Sequence, residues 1–245
     1  MNTVRSSHGT IIWGCIAVIL VAGTSAEAAF IGGVEHFTGT TKDTATWQEC
    51  TQGSPIVQND QVDLFGQADY TTNTQTVGVG DWVSVKVNLA PEQSQPYPGT
   101  TGYVSLWLTN NSAGASGATA TDSASVYVEF DTTGGCVWWG YHLSGAGSGG
   151  LIGTEPDPAG KWLTLKIERL TSTSAVVSAY DTAGDPIGSA TRSFPAGIPD
   201  DLYVSLSTNW ASAASFDQVT VFPEPATLGM LGLGGLGVLL RRKRR

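Results

Sequence analysis

Two carboxylates two residues apart, Glu129 and Asp131, are a pair in this 245-residue chain whose types and spacing could do chemistry. Side chains alternate along an extended strand, so both would leave the same face. On such a face an acid and a nucleophile could flank one glycosidic bond. The next residues, Thr132, Thr133, Gly134 and Gly135, add no further carboxylate, and the expectation is a solvated strand end before a glycine turn. The run that follows, Cys136-Val137-Trp138-Trp139-Gly140-Tyr141, offers something different. Alternation sends Trp138 one way with Cys136 and Gly140, and Trp139 the other way with Val137 and Tyr141. Either Trp138 or the Trp139/Tyr141 pair could stack on a sugar ring as a flat amphipathic platform. The competing expectation puts one side in the core and the other under a loop.

Other groups carry weaker signals. Asp157, Asp181, Asp185 and the pair Asp200 and Asp201 could offer oxygen ligands to calcium, but none has EF-hand spacing, so turn carboxylates and no cofactor are expected. His36 and His142 stand alone, without the Cys/His spacing of a zinc site. The glycine-rich stretch 145–150 precedes no helical pattern, so neither a phosphate loop nor a nucleophile elbow is supported. Cys50 and Cys136 could pair across a long loop in an oxidising compartment, or remain separate thiols. The net charge is −9, and half of the 12 Lys+Arg, namely Arg5 and the last five residues, sit in the termini. The middle of the chain is therefore strongly acidic and a poor partner for nucleic acid.

The elements that must position these residues are strands. Runs such as Trp82-Val83-Ser84-Val85-Lys86-Val87, Tyr103-Val104-Ser105-Leu106-Trp107-Leu108, Ser125-Val126-Tyr127-Val128-Glu129-Phe130 and Trp162-Leu163-Thr164-Leu165-Lys166-Ile167 alternate with a period of two. That period, and roughly a dozen such runs between Gly, Pro, Ser, Thr and Asp, predict an all-β fold of two packed antiparallel sheets. Stretches 91–101, 110–125 and 144–160 read as long loops. Residues 162–180 read as a hairpin turning at Thr171-Ser172-Thr173-Ser174. Asp81-Trp82-Val83-Ser84-Val85-Lys86 and Lys161-Trp162-Leu163-Thr164-Leu165-Lys166 share a cadence that suits two equivalent strands, with Lys toward solvent and Val or Leu toward the core. The opening Glu35-His36-Phe37-Thr38-Gly39-Thr40-Thr41 with 43–47, the Trp162 hairpin and the closing Ser215-Phe216-Asp217-Gln218-Val219-Thr220-Val221 resemble strands of concanavalin A-like (LamG or glucanase type) jelly rolls. The resemblance implies a β-sandwich. Hydrolases of that type carry Glu-x-Asp-x-(x)-Glu on one strand, and here the third carboxylate is missing.

The termini speak of export. Arg5, an apolar core over 11–22 and Ala26-Glu27-Ala28 form a signal-peptide pattern, with cleavage expected between Ala28 and Ala29 by signal peptidase. At the other end Pro223, Glu224 and Pro225 precede an apolar run, 226–240, of about 22 Å as a helix, short of a roughly 30 Å hydrocarbon core. Arg241, Arg242, Lys243, Arg244 and Arg245 then hold the end on the cytoplasmic side. Motif, apolar span and basic cluster together resemble the PEP-CTERM sorting signal of exosortase-processed surface proteins. This implies an exosortase partner, a membrane-anchored intermediate, and delivery to the surface or matrix of a Gram-negative bacterium that makes extracellular polysaccharide. The expected organisation is a signal peptide over 1–28, a β-sandwich over 29–221 and a sorting signal with its hydrophobic helix over 222–245. The expected role is non-enzymatic: structural or adhesive in a biofilm-like polymer layer, and polysaccharide-binding. The alternatives are a glycan hydrolase of the concanavalin-like class and a plain membrane-anchored interaction protein.

Overall fold

A computed structural model describes residues 33–51, 56–89, 102–111, 124–131, 135–144, 146–156, 160–209 and 213–223. The signal peptide, the cleavage point at Ala28 and Ala29, Asp157, and the tail from Glu224 to Arg245 lie outside the described residues, as do 91–101 and most of 110–125. Among the described residues no helix is long and apolar enough to cross a membrane.

The chain forms strands β1 (Val34–Glu35), β2 (Trp47–Thr51), β3 (Val57–Gln58), β4 (Val62–Phe65), β5 (Ala68–Val77), β6 (Asp81–Leu89), β7 (Tyr103–Thr109) and β8 (Ala124–Asp131). It continues through β9 (Cys136–Leu143), β10 (Ala146–Thr154), β11 (Trp162–Thr171), β12 (Ser174–Tyr180), β13 (Pro186–Ser193), β14 (Leu202–Asn209) and β15 (Ala213–Pro223). Among the described residues one sheet has eight strands, ordered β13-β12-β11-β6-β15-β4-β3 with β1 against β15, and the other has seven, ordered β10-β9-β8-β7-β14-β5-β2. All pairings are antiparallel. The two-sheet antiparallel sandwich that the period of two predicts is the fold observed.

Alternation explains why the sheets stack. Val83, Val85 and Val87 of β6 and Leu163, Leu165 and Ile167 of β11 are buried on one side of their sheet. Leu106 and Leu108 of β7, Val126, Val128 and Phe130 of β8, and Val204 and Leu206 of β14 are buried from the other. These belong to one continuous core, and burying each such side chain is worth about 1.5–3 kcal/mol before entropy is counted. Phe37, Trp47 and Tyr70 close the core as an aromatic cluster, the last two stacked at 4.9 Å. The repeated cadence does mark equivalent strands: β6 and β11 are antiparallel neighbours, with Lys86 exposed and Lys166 partly so.

One expectation is corrected and one open alternative is decided. The stretch 144–160 is not a long loop, because β10 pairs along β9 from Ala146 to Thr154. Its glycines let backbones meet: a Cβ on Gly153 would lie 2.2 Å from the Ile187 carbonyl oxygen, where the edges of the two sheets converge. Cys50 and Cys136 do not pair with each other. They sit on β2 and β9 of the seven-stranded sheet, five strand spacings or about 24 Å apart, against a Cα limit of about 7 Å for a disulfide.

Candidate functional site

The outer face of the seven-stranded sheet is where the chemistry-bearing residues gather. On β8 the residues facing away from the core are Ser125, Tyr127, Glu129 and Asp131, alternating with buried Val126, Val128 and Phe130. Register sets Tyr127 opposite Trp107 of β7 and Gly140 of β9, and Glu129 opposite Ser105 and Trp138. Tyr103 of β7 stands opposite Asp131, and His142 of β9 opposite Ser125. Residues far apart in sequence thus form one patch through three neighbouring strands, β7, β8 and β9.

Its centre is an aromatic stack. Trp107 and Tyr127 lie 4.1 Å apart at 27°, and His142 packs on both, at 5.6 and 5.7 Å. Gly140 makes the stack possible, because a Cβ there would sit 2.1 Å from the Tyr127 hydroxyl oxygen. The glycine lets the phenol lie across β9. Burial lowers the His142 pKa and, with the Glu129 charge second, raises that of Tyr127.

The face is unusual for the outside of a sheet because its polar groups are shielded. Ser105 is 2%, Trp107 7% and Ser125 0% exposed, and Ser205 and Ser207 of β14 are equally buried. Thr71 of β5 and Ser205 exchange a hydroxyl hydrogen bond of 2.7 Å. The indole N–H groups of Trp107 and Trp138 and the Ser125 hydroxyl are buried with no hydrogen-bond partner among the described residues. Unpaired buried donors are costly, about 1–3 kcal/mol each, and a ligand that accepts from them would relieve the cost. Beside them burial, then the neighbouring charge of Asp131, pushes the Glu129 carboxyl up to about 7, although the Ser105 hydroxyl hydrogen-bonds to it and pulls the other way.

The sequence-derived candidates divide. Trp138 lies on this face, opposite Glu129. Trp139 and Tyr141 do not: they turn inward with Val137 and pack against the core, 6.3 Å apart, with the Arg192 guanidinium 5.5 Å from the Trp139 ring. That pair therefore does not share the outer face with Trp138, where the stacked rings are instead those of Trp107, Tyr127 and His142. Glu129 and Asp131 share a face as alternation requires, on a shielded surface and not a solvated strand end. The Asp181 carboxylate accepts from the Ala183 and Asp185 N–H groups, at 2.9 and 2.8 Å, and closes its own turn with Asp185. Asp200 and Asp201 lie near the buried Arg169 guanidinium, whose Nη2 donates to the Pro199 carbonyl at 3.1 Å. Among the described residues no three His, Cys, Asp or Glu side chains gather to hold a metal.

Residues 223–245 match the family model of the PEP-CTERM protein-sorting motif, which implies export and exosortase-mediated sorting. No curated protein matches the chain. The fold is similar to that of porphyranase B from Zobellia galactanivorans, with TM-score 0.51, 9% identity, and 77% of this chain and 90% of that one covered. Lectin II from Ulex europaeus gives 0.51 at 10% identity, covering 75% and 96%. A Bacillus subtilis protein of unknown function with a galectin-like fold gives 0.51 at 11%, covering 72% and 89%. The body is a two-sheet sandwich that resembles the concanavalin A-like fold, and the tail carries the sorting motif.

Proposed function

We propose that this chain is an exported surface or matrix protein that binds polysaccharide on the outer face of its seven-stranded sheet. The observation that carries the proposal is the set of buried donors without partners among the described residues, the Trp107 and Trp138 indoles and the Ser125 hydroxyl, beside stacked aromatic rings. Sugar rings present an apolar face to aromatics and a rim of hydroxyls to such donors. The sorting motif supports delivery to the surface, with membrane attachment through the tail before exosortase acts, and the fold shared with a lectin and a porphyranase supports a carbohydrate ligand. The role is structural or adhesive in an extracellular polymer layer. Titration of the full chain with soluble polysaccharides, followed by Trp fluorescence, tests it. A saturable change that Trp138→Ala abolishes is expected, and silence across neutral and acidic polymers would refute the proposal.

A second reading has its own support. Glu129, held near 7 beside Asp131 on one face, suits a general acid next to a second carboxylate. Release of reducing ends that disappears in Glu129→Gln would make the protein a hydrolase. Binding without turnover is the expected result.

A further inference from the structure

The shared cadence of β6 and β11 builds two related corners on the opposite, outer face of the eight-stranded sheet. The strands are antiparallel, with Trp82 opposite Glu168 and Trp162 opposite Asn88. Lys166 is opposite Ser84 and Lys86 is opposite Thr164. Each Trp therefore has the other strand's Lys diagonal to it, and a local two-fold relates the corners. At the first corner the stacking position is filled: Phe222 lies on Trp82 at 5.2 Å and 24°, and Lys166 Nζ is 4.8 Å from the ring centre. At the second there is a cavity of about 350 Å³, lined by Trp162, Lys86, Asp217, Gln218, Asp181 and Thr182. That volume lies at the lower end of the roughly 300–1,000 Å³ of small-ligand pockets.

The walls are built. On one side the Thr182 hydroxyl donates to the Trp162 carbonyl at 2.9 Å and ties the 181–185 turn down onto β11. On the other β15 bulges between Asp217 and Thr220. Gln218 there has φ 52°, left-handed backbone that a residue with a long side chain seldom adopts, and its N–H donates to Asp217 Oδ1 at 2.7 Å. Bulges re-aim side chains, and backbone strain of this sort clusters at ligand sites.

We propose that this corner is a second carbohydrate site, taking one neutral pyranose unit with its apolar face where Phe222 sits at the related corner. Lys86, Asp217 and the Gln218 amide supply donors and acceptors for ring hydroxyls. Two carboxylates against one ammonium disfavour a uronate. The site rests on its own cavity; only its being second rests on the front-face reading. With both sites the chain bridges two glycan strands.

The test is calorimetry on the full chain, purified in a detergent without a sugar headgroup and titrated separately with laminarihexaose, cellohexaose and neoagarohexaose. At least one of these neutral hexasaccharides should fill two sites per chain. Trp162→Ala should remove one of them, and Lys86→Ala, an exposed change that leaves packing intact, should weaken the same one about tenfold. Both variants should melt with the parent, while Trp138→Ala removes the other site. A single site indifferent to Trp162→Ala and Lys86→Ala overturns the inference and leaves the front-face reading standing. A single site lost in Trp162→Ala but kept in Trp138→Ala does the reverse. No binding of any of the three overturns this site.

Discussion

The two sheets share one core yet turn opposite kinds of surface outward. On the eight-stranded sheet the outward residues of β6 and β11 are open to solvent to varying degrees, and their charges pair locally, as Lys166 does with Glu168 at 2.9 Å. On the seven-stranded sheet the corresponding positions are hydroxyls, carboxyls and aromatic rings, and many are as inaccessible as the core. Surface ion pairs contribute about 0–1 kcal/mol and can be lost cheaply. Shielded polar groups without partners cost more than that. Such a face carries a cost that the proposed ligand would relieve.

Mutations can break or sharpen that contrast. The largest effect should come from Trp107→Ala, which empties a nearly buried ring position and should cost about 3–5 kcal/mol, against about 1 kcal/mol for Trp82→Ala on the other sheet. Urea unfolding of both variants measures it, and equal losses would erase the distinction. Next is pH. The folded Glu129 carboxyl holds its proton to about 7, whereas in the unfolded chain it ionises near 4.5. The folded state thus binds more protons between these values, so its contribution is full below 4.5 and is lost as pH rises through 7, by up to about 3 kcal/mol. Urea midpoints at pH 5 and 8 should differ less in Glu129→Gln than in the parent. Gly140→Ala should displace the Tyr127 ring, costing about 1–3 kcal/mol together with sugar binding; an unchanged melting temperature and affinity would show that the stack is incidental. Lys166→Ala should cost less than about 1 kcal/mol despite losing both Glu168 and the Trp82 ring.

How much of this was legible in the sequence follows from what each contact depends on. Wherever one sheet face is apolar, alternation reveals the strand, as in β7, β8 and β11. β10 escaped because Ala146-Gly147-Ser148-Gly149-Gly150 carries no such alternation; backbone hydrogen bonds to β9 define it, and its glycines answer to close neighbours. The common face of Glu129 and Asp131, and the opposite directions of Trp138 and Trp139, were readable from parity alone. Parity could not say which direction led to the core. The Trp107, Tyr127 and His142 stack was hidden for another reason, since its members come from three strands brought side by side only by sheet order. A usable signal was present: Trp107 and Tyr127 occupy polar-side positions in their strands, where a large ring needs a partner. The cysteines stayed open for the complementary reason, because a compartment that permits a bond does not bring two strands together.

β15 ends at Pro223, the residue where the sorting motif begins. Near that end it is bonded to β6 on one flank and to β1 on the other. A load applied along this strand would therefore act on both ladders together, instead of opening one rung at a time. A tail fastened at this point would leave drag on the body to sheet hydrogen bonds acting in parallel.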